Sequence, residues 1–333
     1  QSDSGPDHPS AAGIVGRTRK RSGLSRPADG MIALTMATHS THAIPDKFRS
    51  IVDGLGQVPT LPAIVARALE ILNQPNASAE AAARLIGQDL ALSAKVLRLA
   101  NSAFYGIPRS IASVDQAIVI LGFQTVRSLV MSASVLKILG KGGRGSLDRR
   151  MVWRHSVATA LASRVIVRKV GRRLGLDIEA AFMASLLHKI GVLILDGAEH
   201  AEYQKIMLEA GEPDALPLPL LERKHLQIDH AALGGMLAEK WGLPEELRDP
   251  IAHHLSPATA PTQGELAAVV QLSSHMAESA GFGAFEGLVQ WPLDPNVFTI
   301  LQCDAALLPE IGEAFQKELE KAESFFALIE SSV

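Results

Sequence analysis

From Asp46 onward the chain repeats apolar side chains three and four positions apart, and no stretch alternates them by two between Gly or Asn turns. That period lines one face of a helix, whereas period two lines one face of a strand. The expectation is an all-α protein. Phe48, Ile51, Val52 and Leu55 open the pattern, and Ile64, Ala68, Leu69 and Leu72 continue it beyond the turn at Pro59 to Pro62. Ser78 stands before a third helix as an N-cap, and Asp89 to Ala100 makes a fourth. Ser113 or Asp115 caps a fifth, which Gly122 interrupts and Thr125 to Leu139 resumes. Helices are then expected over Met151–Arg172, Ile178–Leu195, Ala201–Ala210, Leu218–His225, Ile228–Trp241, Glu245–His254, Gly264–Ala280 and Ala314–Ile329.

With 333 residues, 47% of them hydrophobic and 20% charged, the chain can bury a substantial core. Residues 1–45 are rich in Ser, Gly, Pro and Arg without apolar period, and read as a disordered leader. A helical bundle over 46–140 and a second over 147–280 follow, joined by the Gly-rich run Gly140 to Ser146, with a C-terminal extension over 281–333. That run lacks the Gly-Lys-Ser/Thr ending of a phosphate loop and reads as a linker. A net charge of −3 argues against specific nucleic-acid binding. The single cysteine, Cys303, rules out an internal disulfide and suits a reducing, cytoplasmic setting. The longest apolar run, Ala180 to Leu195, is broken by His188 and Lys189, so no membrane segment is expected.

Histidines concentrate in the second half, and His155 and His188 each sit in a strongly apolar helix. Such groups must find partners when buried. Convergence on a metal is one solution, but hydrolytic metal sites also need carboxylates as ligands and for charge balance. Here Lys189 follows His188, and Ser273 and Ser274 stand on the late helix where an acid would serve. The preferred reading is a set of buried histidines bonded to one another and to hydroxyls, with no metal and no cofactor. Lys189 would pair with Glu222 or Asp229, bind an anionic ligand, or reach solvent. Asn101 and Ser102 read as a turn that bonds back to the preceding helix. Arg98, Arg109 and Arg127 would line the junction of the halves, with Asp89 as a partner, or form a solvated face.

Several segments in register resemble the HDOD family, the HD-related output domains: LIGQDLALSAKVLRLANSAFYG at 85–106, IASVDQAIVILG at 111–122 and VRSLV at 126–130. WRHS at 153–156, AFMASLLHKIG at 181–191, IDHAALG at 228–234, WGLP at 241–244 and IAHH at 251–254 continue it. The family is similar in fold to HD phosphohydrolases and HD-GYP phosphodiesterases. In those enzymes an early histidine, a His-Asp pair and a late aspartate hold metal. By resemblance His155 takes the first place and His188 the histidine of the pair, while Lys189 replaces its acid and Ser273 or Ser274 the late one. His230, His253 and His254 match further histidines of the pocket. The resemblance implies a non-catalytic signalling module that works by contact with signalling proteins. A metal-dependent phosphohydrolase, or a sensor holding a nucleotide or other anion in the relic pocket, are the alternatives.

Overall fold

A computed structural model describes residues 46–53, 62–72, 74, 76–102, 105–139, 147–285 and 287–330. The expected leader, the turn at 59–61 and the Gly-rich run lie outside those residues. Among the described residues there is helix and no strand. The elements are α1 (Asp46–Asp53), α2 (Ala63–Leu72), α3 (Ala79–Ile86), α4 (Leu90–Ala100) and α5 (Val114–Leu139). There follow α6 (Arg149–Ile166), α7 (Ile178–Leu187), α8 (Ile190–Ala198), α9 (His200–Ala210), α10 (Leu218–Leu226) and α11 (His230–Lys240). Last come α12 (Glu245–His253), α13 (Gly264–Ser279), α14 (Leu308–Lys321) and α15 (Glu323–Glu330).

Local chemistry sets the helix starts. Ser78 accepts from the Ala81 amide, Asp89 from Leu92, Asp148 from Arg150, Asp177 from Glu179 and Ala180, and Asp229 from Ala232. Each side chain satisfies an amide that a helix start leaves without an intrahelical partner. Asn101 closes α4. Its amide nitrogen donates to the Leu97 and Ile111 carbonyls, and its oxygen accepts from the Ile111 amide. One side chain thus staples the loop between α4 and α5. Gly122 has φ 83° and marks a kink within α5, a conformation open to glycine because it has no Cβ.

Helices α6, α7 and α13 pack side by side as the centre, and α12 lies against α7 and α13. Nearly every position of α7 is buried, so it has no polar face to offer solvent. Val114–Val135 and Ile178–Ala198 are long and apolar enough to cross a membrane, yet 94% of the second is buried inside the fold. Its apolar surface is spent on the core. Arg164 of α6 pairs with Glu179 at 2.6 Å and lies over the rings of Tyr105 and Phe182. That stack ties the loop after α4 to α6 and α7.

The structure corrects three element boundaries. The helix expected over Ile178–Leu195 is broken at His188 and Lys189 into α7 and α8. Met151–Arg172 ends earlier as regular α-helix, because Val167–Gly171 is wound as a wider π-helical turn. Ala314–Ile329 is two helices, α14 and α15, meeting at the buried Ala322, and α14 begins earlier, at Leu308.

Candidate functional site

Four histidines from four different helices or helix ends meet in the second half of the fold. His155 comes from the middle of α6, His188 and Lys189 from the break between α7 and α8, His230 from the first residue of α11 and His254 from the end of α12. His155, His188 and His230 are fully buried, His254 is 2% exposed and Lys189 9%. The rings follow one another: His155 to His188 at 5.2 Å between centroids, His188 to His254 at 5.0 Å, and His254 to His230 at 5.5 Å.

The hydrogen bonds assign the tautomers. Nδ1 of His155 lies 2.8 Å from the Phe282 carbonyl, Nδ1 of His188 2.6 Å from that of Ser185, and Nδ1 of His254 2.9 Å from that of Ile251. A carbonyl only accepts, so each Nδ1 carries the proton. His230 Nδ1 donates to Glu222 Oε2 at 2.7 Å. All four Nε2 atoms are therefore acceptors when the rings are neutral. Burial, which penalises the charged form, holds His155 down at about 3 and the other three well below the usual histidine value. The Lys189 charge pushes all four further in the same direction.

Donors reach two of those acceptors. Lys189 Nζ donates to His230 Nε2 at 3.1 Å, and the Ser274 hydroxyl to His155 Nε2 at 3.2 Å. His188 Nε2 faces His155 Nε2 at 3.2 Å, and His254 Nε2 is buried without a hydrogen-bond partner. Behind His230, Glu222 is satisfied by the Tyr203 hydroxyl at 2.7 Å and by the His230 amide at 2.9 Å. Burial raises the Glu222 carboxyl to about 7, against the pull of those donors and of Lys189 and Arg223. Asp229 caps α11 and is held by Arg223 at 2.5 Å.

Other residues named from the sequence lie elsewhere. His253, expected among the pocket histidines, instead places its Nδ1 3.0 Å from the Thr259 hydroxyl. It is adjacent to His254 in sequence, but consecutive helical positions project about 100° apart. Ser273 donates to the Val269 carbonyl of its own helix, leaving Ser274 as the serine that meets the cluster. Lys189 bonds neither Glu222 nor Asp229 directly; His230 stands between it and Glu222. Asp89 is the cap of α4, and Arg98 is exposed and bonds back to Ala94. Arg109 is exposed as well. Arg127 lines a separate cavity of about 180 Å³ between α2, α5 and the turn at 241–247.

Sequence reasoning did not single out Tyr203, or Glu278 as a pocket residue. Glu278 lies one helical turn beyond Ser274, a spacing that puts both on one face of α13 and was readable in advance. A cavity of about 370 Å³ opens onto the cluster, with Lys189, His230 and Glu278 on its floor and Phe285, Leu288 and Trp291 among its walls.

The donor set does not fit the divalent ion that the HD enzymes hold. Two of the four Nε2 atoms already accept from Ser274 and Lys189, and no carboxylate bonds His155, His188 or His254. Among the described residues no three His, Cys, Asp or Glu side chains are grouped so as to hold a metal ion. An ion there would also lie beside an ammonium, with only neutral rings for ligands and no carboxylate among them to offset its charge.

The sequence pattern of the HDOD domain matches residues 58–257. An uncharacterized protein from Treponema pallidum is 24% identical over 217 residues, which are 64% of this chain but only 40% of that protein. An HDOD domain protein from Geobacter sulfurreducens superposes with a TM-score of 0.68 at 24% identity, covering 84% of this chain and 99% of its own. A structure from Marinobacter aquaeolei, described as a candidate signal transduction protein, gives 0.69 at 21% identity over 89% of this chain and 68% of its own.

Proposed function

The chain belongs to the HDOD domain family, and we propose that it is a non-catalytic signal-transduction module of the cytoplasm that acts by contact with other signalling proteins. One observation carries this reading. By resemblance Lys189 stands where the related hydrolases have the acid of the His-Asp pair, and it is 9% exposed and hydrogen-bonded to His230 Nε2. Burial lowers the Lys189 ammonium from its usual value, while Glu278, Glu222 and Asp229 support its charge. A positive charge at that point opposes both the binding of a divalent ion and the activation of a water on it. By the same resemblance Ser273 or Ser274 stands where the late acid would be, and Ser274 spends its hydroxyl on His155. What survives is a densely packed histidine core suited to holding α6, α7, α11 and α12 in one arrangement.

Hydrolysis of bis-p-nitrophenyl phosphate, measured with Mn, Fe or Zn supplied in turn, tests this directly. We expect the rate to equal the protein-free background for each metal. Turnover that disappears in His155→Ala would overturn the proposal.

A further inference from the structure

The cavity of about 370 Å³ lies near the lower end of the range that small-molecule pockets span, ~300–1,000 Å³. Its floor is unusual in charge. An ammonium has three N–H donors, and Lys189 uses one of them, on His230 Nε2. Among the described residues no carboxylate approaches Lys189 Nζ within 4.0 Å. The nearby acids are committed elsewhere: Glu222 to Tyr203 and His230, Asp229 to Arg223 and the start of α11. Glu278 is the remaining one: it lines the same cavity, interacts with the Gln290 side chain and attracts Lys189 across the cavity without coming within 4.0 Å of its Nζ. A second cavity of about 20 Å³, on the His254 side, is lined by the same two residues.

Resting on the reading that this pocket holds no metal, we propose that it binds a small zwitterion of amino-acid type, its carboxylate on Lys189, its ammonium on Glu278 and its apolar side chain against Phe285, Leu288 and Trp291. Charge balance separates this from a nucleotide. The histidines are neutral and Asp229 is neutralised by Arg223, so the floor offers one cation and one anion. A phosphate dianion would meet a single positive group and be repelled by Glu278. A zwitterion satisfies both, and it fills donors that Lys189 leaves unspent. The Trp291 indole N–H is already given to the Leu255 carbonyl, so that ring presents apolar surface to a ligand.

Calorimetric titration of the full chain with L-phenylalanine and L-leucine, with their N-acetyl and amide derivatives, and with AMP tests this. The free amino acids should bind, and removing either charge should weaken binding about tenfold or more, the loss of one charge-assisted contact. Lys189→Met should make the amide bind as well as the free acid. Glu278→Gln, at a partly exposed position that leaves the core intact, should do the same for the N-acetyl form. Binding of AMP more tightly than either amino acid, derivatives as tight as the free acids, or no binding of either amino acid at millimolar concentration would each overturn the proposal. The metal content of the same samples reports separately on the proposed function. A metal-loaded chain contradicts that reading, whereas a metal-free chain blind to amino acids contradicts this one alone.

Discussion

At the scale of single residues the site is governed by where each imidazole proton goes. Three backbone carbonyls and one carboxylate take the four Nδ1 protons, and this turns four Nε2 lone pairs inward. An arrangement of that kind has a measurable cost in acid. All four histidines have native values below the ordinary 6.5, His155 at about 3, so below pH 6.5 the unfolded chain binds protons that the native chain refuses. Their contribution is complete above pH 6.5 and is lost as pH falls toward 3. Glu222 has the opposite sign: with a native value of about 7 against 4.5 unfolded, its contribution is complete below 4.5 and is lost as pH rises through 7. The four histidines oppose and outnumber Glu222, so the net direction is a loss of stability as pH falls below 6.5. Urea unfolding followed from pH 7.5 to 5 should show the midpoint falling, and a flat profile would contradict the neutral state assigned to these buried rings. The sequence made His155 and His188 visible, because a histidine within an apolar helix demands a partner. It did not reveal Tyr203 or the orphaned Nε2 of His254, since pairing partners from distant helices leave no local spacing to read.

At the scale of elements, the cluster depends on two helices that approach more closely than side chains allow. A Cβ on Gly191 of α8 would lie 2.0 Å from the His230 carbonyl oxygen and 3.0 Å from the Gly234 amide nitrogen of α11. Backbone cannot yield as a flexible side chain does, so α8 and α11 would have to part, taking His230 away from Lys189. We expect Gly191→Ala to lower stability by about 3 kcal/mol, at the upper end of overpacking costs. Chemical denaturation checks this, and a variant within 0.5 kcal/mol of the parent, roughly the effect of a surface change, would show that the two helices do not pack this tightly. The helix positions were legible from apolar period and caps. The break at His188 and Lys189 was not, because the apolar residues resume directly after these two polar ones and neither Gly nor Pro stands at the break to mark a helix end. The division of the last helix into α14 and α15 was hidden in the same way, both pieces keeping their apolar faces toward α6.

At the scale of the whole molecule, the helical architecture and the family were both readable, because several short segments occur in one order and span most of the described chain. The relation between the pocket and its opening was not. That cavity is lined by residues of the irregular stretches at 281–285 and 287–291 together with Lys189 and residues of α6, α10, α11 and α13, and such stretches have no period to announce their position. The proposed absence of a metal turns on Lys189 standing, by resemblance, in place of a metal-binding acid. Titrating Mn²⁺ into the protein, with bound ion followed by electron paramagnetic resonance, tests that most directly. No stoichiometric binding is expected in the parent chain, and appearance of a site in the Lys189→Asp, Ser274→Asp double variant would show that these two positions alone withhold it. One equivalent of Mn²⁺ bound by the parent chain and released in His155→Ala would contradict the account.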